Sequence, residues 1–167
     1  MYRILTICTG NICRSPMAAY LLRAAVQDAG IPDVEISSAA TSDWETGNPI
    51  DPRAAALLSS QGIDTASHVA RQVTTDDLAE VDLVLSLDTE HYNHLRRLAA
   101  TDTDRAKIRM LRSFDPELSG QAPARQGIYD PWYGDEADFE TTSQLISAAL
   151  PGLVQHIRNQ TAETRGA

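Results

Sequence analysis

Two rhythms of apolar residues alternate along this chain. "YRILTI" (residues 2–7) and "VDLVLSL" (81–87) are short, nearly unbroken apolar runs, the pattern of parallel strands buried on both faces. "VEISSAA" (34–40) and "KIRML" (107–111) read as two more strands. Between them the apolar positions recur at helical spacing. "MAAYLLRAAVQDAG" (17–30) holds that spacing until Gly30, and "DTEHYNHLRRLAA" (88–100) follows the third strand. "DPRAAALLSSQG" (51–62) places Asp51 as N-cap, Pro52 at the first helical position, where a missing N–H costs nothing, and Gly62 past the end. A closing helix is predicted from about Phe139 to Gln160. Residues 113 to 138 are rich in Pro, Gly and Asp and predict a loop, and a loop that long inside a compact domain is usually functional.

Strands alternating with helices predict an α/β fold: a single domain with a four-stranded open parallel sheet and helices on both faces. Ligands of such sheets sit beyond the carboxyl ends of the strands, where the strand order reverses. The stretch "CTGNICRSP" (8–16) starts at the carboxyl end of the first strand, so the fold itself offers it a ligand.

Composition narrows the field. A chain of 167 residues, 43% apolar, buries one core without staples; residues 1–160 are expected to form the domain and 161–167 a flexible tail. No apolar run approaches a membrane span and no export signal is visible, so the expected place is the cytoplasm and the expected state a monomer. The only cysteines, Cys8 and Cys13, are there read as reactive or metal-binding thiols rather than a structural bridge. A net charge of -9 argues against nucleic acid or an anionic membrane as partner, so any anion site has to be local. Lys107 is the sole lysine, which removes the Gly-Lys-Ser/Thr phosphate loop of nucleotide-binding proteins.

A loop that enters a helix from a strand presents unpaired backbone N–H groups and the positive end of the helix dipole, a nest for an anion. Gly10 allows a positive φ at no steric cost, Asn11 is the next most tolerant residue and can tie the loop down through its amide, and Arg14 is expected to hold two phosphoryl oxygens with its planar fork. A thiol in that field ionises readily, so Cys8 is the expected nucleophile, and Ser15 can donate to its thiolate. The bland alternative for Cys8 is a small buried residue ending a strand, and for Cys13 ordinary packing under the loop.

With Cys8, Arg14 and Ser15 spaced as C-x5-R-S after a strand, the string "CTGNICRSP" resembles the low-molecular-weight protein tyrosine phosphatase family. "SSAATSDWETGNP", "SHVARQ" and "DPWYG" resemble three further family segments in the expected order, together covering nearly the whole chain. The resemblance implies that Cys8 attacks phosphorus and that Thr9, Gly10, Asn11, Ile12, Cys13, Arg14 and Ser15 form the phosphate loop. It further implies that Asp130 is the general acid and His68 braces Asn11. Ile12, Trp44, Trp132 and Tyr133 would wall the substrate pocket, and Cys13 would be a second thiol able to pair reversibly with Cys8. It implies a phosphotyrosine-containing protein as partner and no metal or organic cofactor, the amide nest and Arg14 supplying the positive field. Three Asp-Pro pairs compete for the acid role; Asp51 is spoken for as a cap and Asp115 reads as a turn, leaving Asp130, which two aromatics and a glycine follow. Trp132 departs from the family's commoner tyrosine. Asp88, after the third strand, is expected either to orient Arg14 or to cap a helix.

Three other functions compete. A thiol-dependent arsenate reductase on this fold needs cysteines downstream of Cys13, and there are none. Protein arginine phosphatases resemble this loop but carry threonine at the position of Ile12. A phosphopeptide-binding module without activity is expected to lack the nucleophile or the acid, and both are here.

Overall fold

The computed structural model describes residues 1–166. Strands β1 (Tyr2–Cys8), β2 (Val34–Ala40), β3 (Leu83–Ser86) and β4 (Ile108–Met110) form one sheet in the order β2-β1-β3-β4, with every pair parallel. The chain therefore leaves β1 in one direction and returns on its other side with β3. The reversal lies at the carboxyl end of β1, the predicted ligand position.

Side-chain alternation sorts the core into two layers. Ile4 and Cys8 of β1 and Leu83 and Leu85 of β3 pack on one face with α1 (Arg14–Asp28), α2 (Pro52–Ser60) and the long α6 (Glu136–Gly166). Leu5, Ile7 and Val84 point the other way, onto Leu78 of α3 (Thr75–Glu80) and Leu95 of α4 (Thr89–Leu98). A short α5 (Asp102–Ala106) leads into β4. No helix among the described residues is long and apolar enough to cross a membrane.

The expected elements are present with shifted ends. α1 starts at Arg14 rather than Met17, because Pro16 lies in the first turn, where no N–H is required. α2 has the expected cap, with Asp51 accepting from Arg53 N–H at 2.9 Å. The loop expected over 113 to 138 is broken into one-turn helices at 111–114, 116–118, 123–125 and 131–133, and α6 begins at Glu136, before Phe139. α6 does not end near Gln160: residues of the expected tail are helical through Gly166, and Thr161 is buried with its hydroxyl on the Ile157 carbonyl. Ala167 lies outside the described residues.

Candidate active site

Five residues separate Cys8, which ends β1, from Arg14, which starts α1. Turning the chain so tightly needs one residue in the left-handed region. Of the two residues the sequence offers for it, Gly10 and Asn11, that residue is Asn11 (φ 58°). Gly10 serves close packing instead, since a Cβ there would lie 3.1 Å from Glu45 Cγ. The buried Asn11 amide fixes the turn with three hydrogen bonds: Nδ2 donates to Ser15 Oγ and Ser38 Oγ, both at 2.9 Å, and Oδ1 accepts from Arg71 N–H at 3.1 Å. His68 Nε2 donates to the Asn11 carbonyl at 2.7 Å, the contact the sequence suggested. Burial holds the His68 ring below its ordinary pKa against that carbonyl, which favours the charged form. The first backbone bond of α1 runs from Met17 N–H to Cys13 O (3.1 Å), leaving the N–H groups of Cys13, Arg14 and Ser15 outside the helical ladder.

The loop handles its two thiols differently. Cys8 Sγ accepts from Asn11 N–H at 3.3 Å and meets Ser15 Oγ at 3.0 Å, two polar partners suited to a thiolate. Cys13 is buried beneath the loop, and burial, joined by the negative field of Asp51, pushes its thiol far up, so it stays protonated. Both are free thiols. The two thiols are therefore not equivalent: Cys8 has polar partners in the loop, whereas burial keeps Cys13 protonated.

Arg14 is the buried cation of the site, its side chain 4% exposed. Nη1 donates to Asp88 Oδ2 at 2.8 Å and to the Ile128 carbonyl at 3.0 Å; Nη2 donates to Asp130 Oδ2 at 3.1 Å. Its Nε is buried and meets no acceptor among the described residues. A donor left unpaired in a charged, buried group is costly unless an incoming acceptor completes it. Asp88 fills both expected roles: Oδ2 orients Arg14 while Oδ1 caps α4 through Glu90 N–H (2.8 Å) and His91 N–H (3.1 Å). Burial pushes the Asp88 carboxyl up, but His91, through its charge when protonated and its backbone N–H, together with Arg14, outweighs it, and the group ends below its ordinary range.

Of the three Asp-Pro pairs, only Asp130 sets its carboxylate against Arg14. Asp51 caps α2, and Asp115 caps a one-turn helix through Glu117 N–H at 3.0 Å. Asp130 Oδ1 accepts from Trp132 N–H at 3.1 Å, holding the turn 131–133, while Oδ2 stays on Arg14. Cys8, Thr9, Gly10, Ile12, Cys13, Arg14, Trp44, Asp130, Trp132 and Tyr133 all line one cavity of about 230 Å³. Trp44 (78% exposed) and Tyr133 (71%) stand at its mouth, and Trp132 packs edge-on against Tyr133 at 5.0 Å. Large aromatics so exposed take no part in the core.

Sequence reasoning missed His91, which the helix pattern marks only as one buried position of α4. Its Nε2 meets Thr9 Oγ1 at 2.9 Å and its Nδ1 lies 3.4 Å from Asp88 Oδ1, so it links the phosphate loop to the carboxylate behind Arg14. Burial draws its pKa down to about 4; Arg14 and His94 also lower it, and Asp88 only partly opposes them. The unfolded chain takes up this proton near pH 6.5, the folded one only near 4. More protons are then bound unfolded than folded, so this contribution to stability is complete above about pH 6.5 and is lost as pH falls from there toward about 4. Thermal unfolding of the wild type and His91→Gln at about pH 7 and about pH 5 checks it. The drop in Tm between the two conditions is expected to be smaller in the variant.

Comparison with known proteins agrees with this geometry. The family described as low molecular weight phosphotyrosine protein phosphatase matches residues 3–163. A low molecular weight protein-tyrosine-phosphatase of Streptomyces coelicolor is 44% identical over 160 residues, covering 95% of each chain. The human low molecular weight phosphotyrosine protein phosphatase is 41% identical over 143 residues, covering 84% of this chain and 86% of its own. Among solved structures, Bacillus subtilis YfkJ superposes with a TM-score of 0.85 at 29% identity, covering 96% of both chains. A protein tyrosine phosphatase of Entamoeba histolytica shares the fold with a TM-score of 0.86 at 23% identity, covering 96% of this chain and 99% of its own. A β1 that ends in Cys8, an Arg14 that opens α1 and pairs with Asp130, and the family match over residues 3–163 place the chain in the low-molecular-weight phosphotyrosine protein phosphatase family.

Proposed function

We propose that this chain is a cysteine-dependent protein tyrosine phosphatase that hydrolyses phosphotyrosine through a phosphocysteine intermediate, acting as a cytoplasmic monomer. The observation that carries the reading is the shared cavity in which Cys8, Arg14 and Asp130 converge beneath an aromatic rim. A phosphoryl group entering it takes the Arg14 fork, including the unpaired Nε, and releases Asp130 from its ion pair. Asp130, freed from that pair, stands beside the phosphoryl group as the proton donor of the reading.

In the first half-reaction the Cys8 thiolate attacks phosphorus. The S–P bond forms as the P–O bond to the phenol breaks, and Asp130 delivers its proton to the departing oxygen. Arg14 and the loop N–H groups hold the equatorial oxygens throughout. In the second half, Asp130 takes a proton from water, the water oxygen bonds to phosphorus, and Cys8 leaves as thiolate, stabilised by Ser15 and Asn11 N–H.

A second depression of about 500 Å³ adjoins the first, sharing Thr9, Arg14, Trp44, Asp130 and Tyr133 and continuing past Tyr129 and Glu90. Room of that size beside the phosphate pocket favours a protein substrate over a small ester. Ile12, Trp44 and Trp132 present apolar walls to a phenyl ring, whereas a phosphoserine is too short to carry phosphorus down such a slot. We expect kcat/KM on matched peptides to favour phosphotyrosine over phosphoserine by roughly 10²-fold or more. Ile12→Thr is expected to shift the preference toward phosphoarginine, because a hydroxyl there can orient water at a phosphoramidate. A wild-type preference for phosphoarginine would sink the assignment.

A further inference from the structure

Asp130 sits on a single helical turn whose aromatics face solvent, so its placement has to come from outside that turn. The anchor is Arg53, at the second position of α2. Its Nη1 donates to the Gly134 carbonyl at 2.9 Å and its Nη2 reaches the Trp132 carbonyl at 3.4 Å. The same guanidinium grips Asp51 with both forks, Nε to Oδ1 at 3.1 Å and Nη2 to Oδ2 at 2.9 Å, and lies over the buried Phe139 ring at 4.5 Å. Asp51 is itself buried, and its N–H donates to the carbonyl of Ile12, in the middle of the phosphate loop, at 2.8 Å. One side chain thus ties the two carbonyls that follow the acid to a residue bonded directly to the nucleophile's loop. A planar five-donor group held on three sides is a rigid spacer; an ammonium on a flexible stem cannot make these contacts together.

We propose that Arg53 is a positioning residue for proton donation: it sets the separation between Asp130 and the phosphate loop, and touches neither substrate nor phosphate. The inference rests on the phosphatase reading above. Losing Arg53 leaves Cys8 and Arg14 competent while Asp130 drifts, and a misplacement of an ångström is enough to forfeit much of a general acid's effect.

The test uses phenyl phosphate, whose leaving group needs a proton, and dinitrophenyl phosphate, whose leaving group does not. For Arg53→Met, kcat/KM on phenyl phosphate is expected to fall roughly 10- to 100-fold, and on dinitrophenyl phosphate less than about 3-fold. Arg53→Lys retains a charge for Asp51 and guards against misfolding, yet is expected to show the same leaving-group split. In both variants the inhibition constant of inorganic phosphate should stay within about 2-fold of wild type, reporting an intact loop. Combined with Asp130→Ala, Arg53→Met is expected to add no further loss, since the group it positions is gone. Equal losses on both esters, or losses that multiply with Asp130→Ala, overturn the role of Arg53 while leaving the phosphatase reading standing. A wild type that turns over neither ester overturns both.

Discussion

Replacing Cys8 by serine is expected to take turnover to background, a loss on the order of 10⁴-fold or more, with the fold and phosphate binding retained. The side chain is buried and bonded to Asn11 N–H and Ser15 Oγ, contacts a hydroxyl of similar size also makes, so the loop keeps its shape. What disappears is the nucleophile, because a serine hydroxyl is a far poorer nucleophile than a thiol at neutral pH. Cys13 provides the control. Its thiol is pushed up by burial and by Asp51 and so stays protonated, and Cys13→Ser is expected to keep much of the activity. A dead Cys13→Ser beside a working Cys8→Ser would reverse the assignment.

Asp130→Ala is expected to lower kcat by roughly 10² to 10⁴, the usual worth of a positioned acid and base. The loss in kcat/KM should be steep for phenyl phosphate and slight for dinitrophenyl phosphate. Binding should move the other way. In the free site Asp130 occupies Arg14 Nη2, so an oxyanion has to displace a carboxylate. Without it the inhibition constant of inorganic phosphate is expected to fall rather than rise. An equal loss on both esters would remove Asp130 from the proton path and turn attention to Asp51 and Asp115, although both already serve as caps.

How much of this was legible in the sequence follows from what each signal depends on. The four strands and the longer helices follow from apolar periodicity, a property of each segment alone. α3 and α5 are too short to show a period, and only their caps mark them: Thr74 with Asp77, Thr101 with Asp104. The end of α6 escaped because a polar tail reads as loose, whereas Thr161 packs against the preceding turn. Cys8, Arg14 and Asp130 were legible because their motifs are local and resemble a family. Propensity left the left-handed position open to Gly10 and Asn11, and tertiary contacts awarded it to Asn11, whose amide has three partners there. His91 and Arg53 carry no motif of their own. Each matters through partners far off in sequence, Thr9 for one and Gly134 for the other, and such pairings exist only once the chain is folded.

The central claim is the covalent intermediate on Cys8, and the most direct measurement is to trap it. Asp130→Ala mixed with dinitrophenyl phosphate forms the S–P bond without an acid but lacks the base that opens it to water, so the phosphoenzyme should accumulate. Acid quenching followed by peptide mass spectrometry is predicted to find one phosphoryl group per chain, on Cys8, absent in the Cys8→Ser double variant. A phosphoryl group on another residue, or continuing ester cleavage with Cys8 unmodified at every time point, would contradict the account.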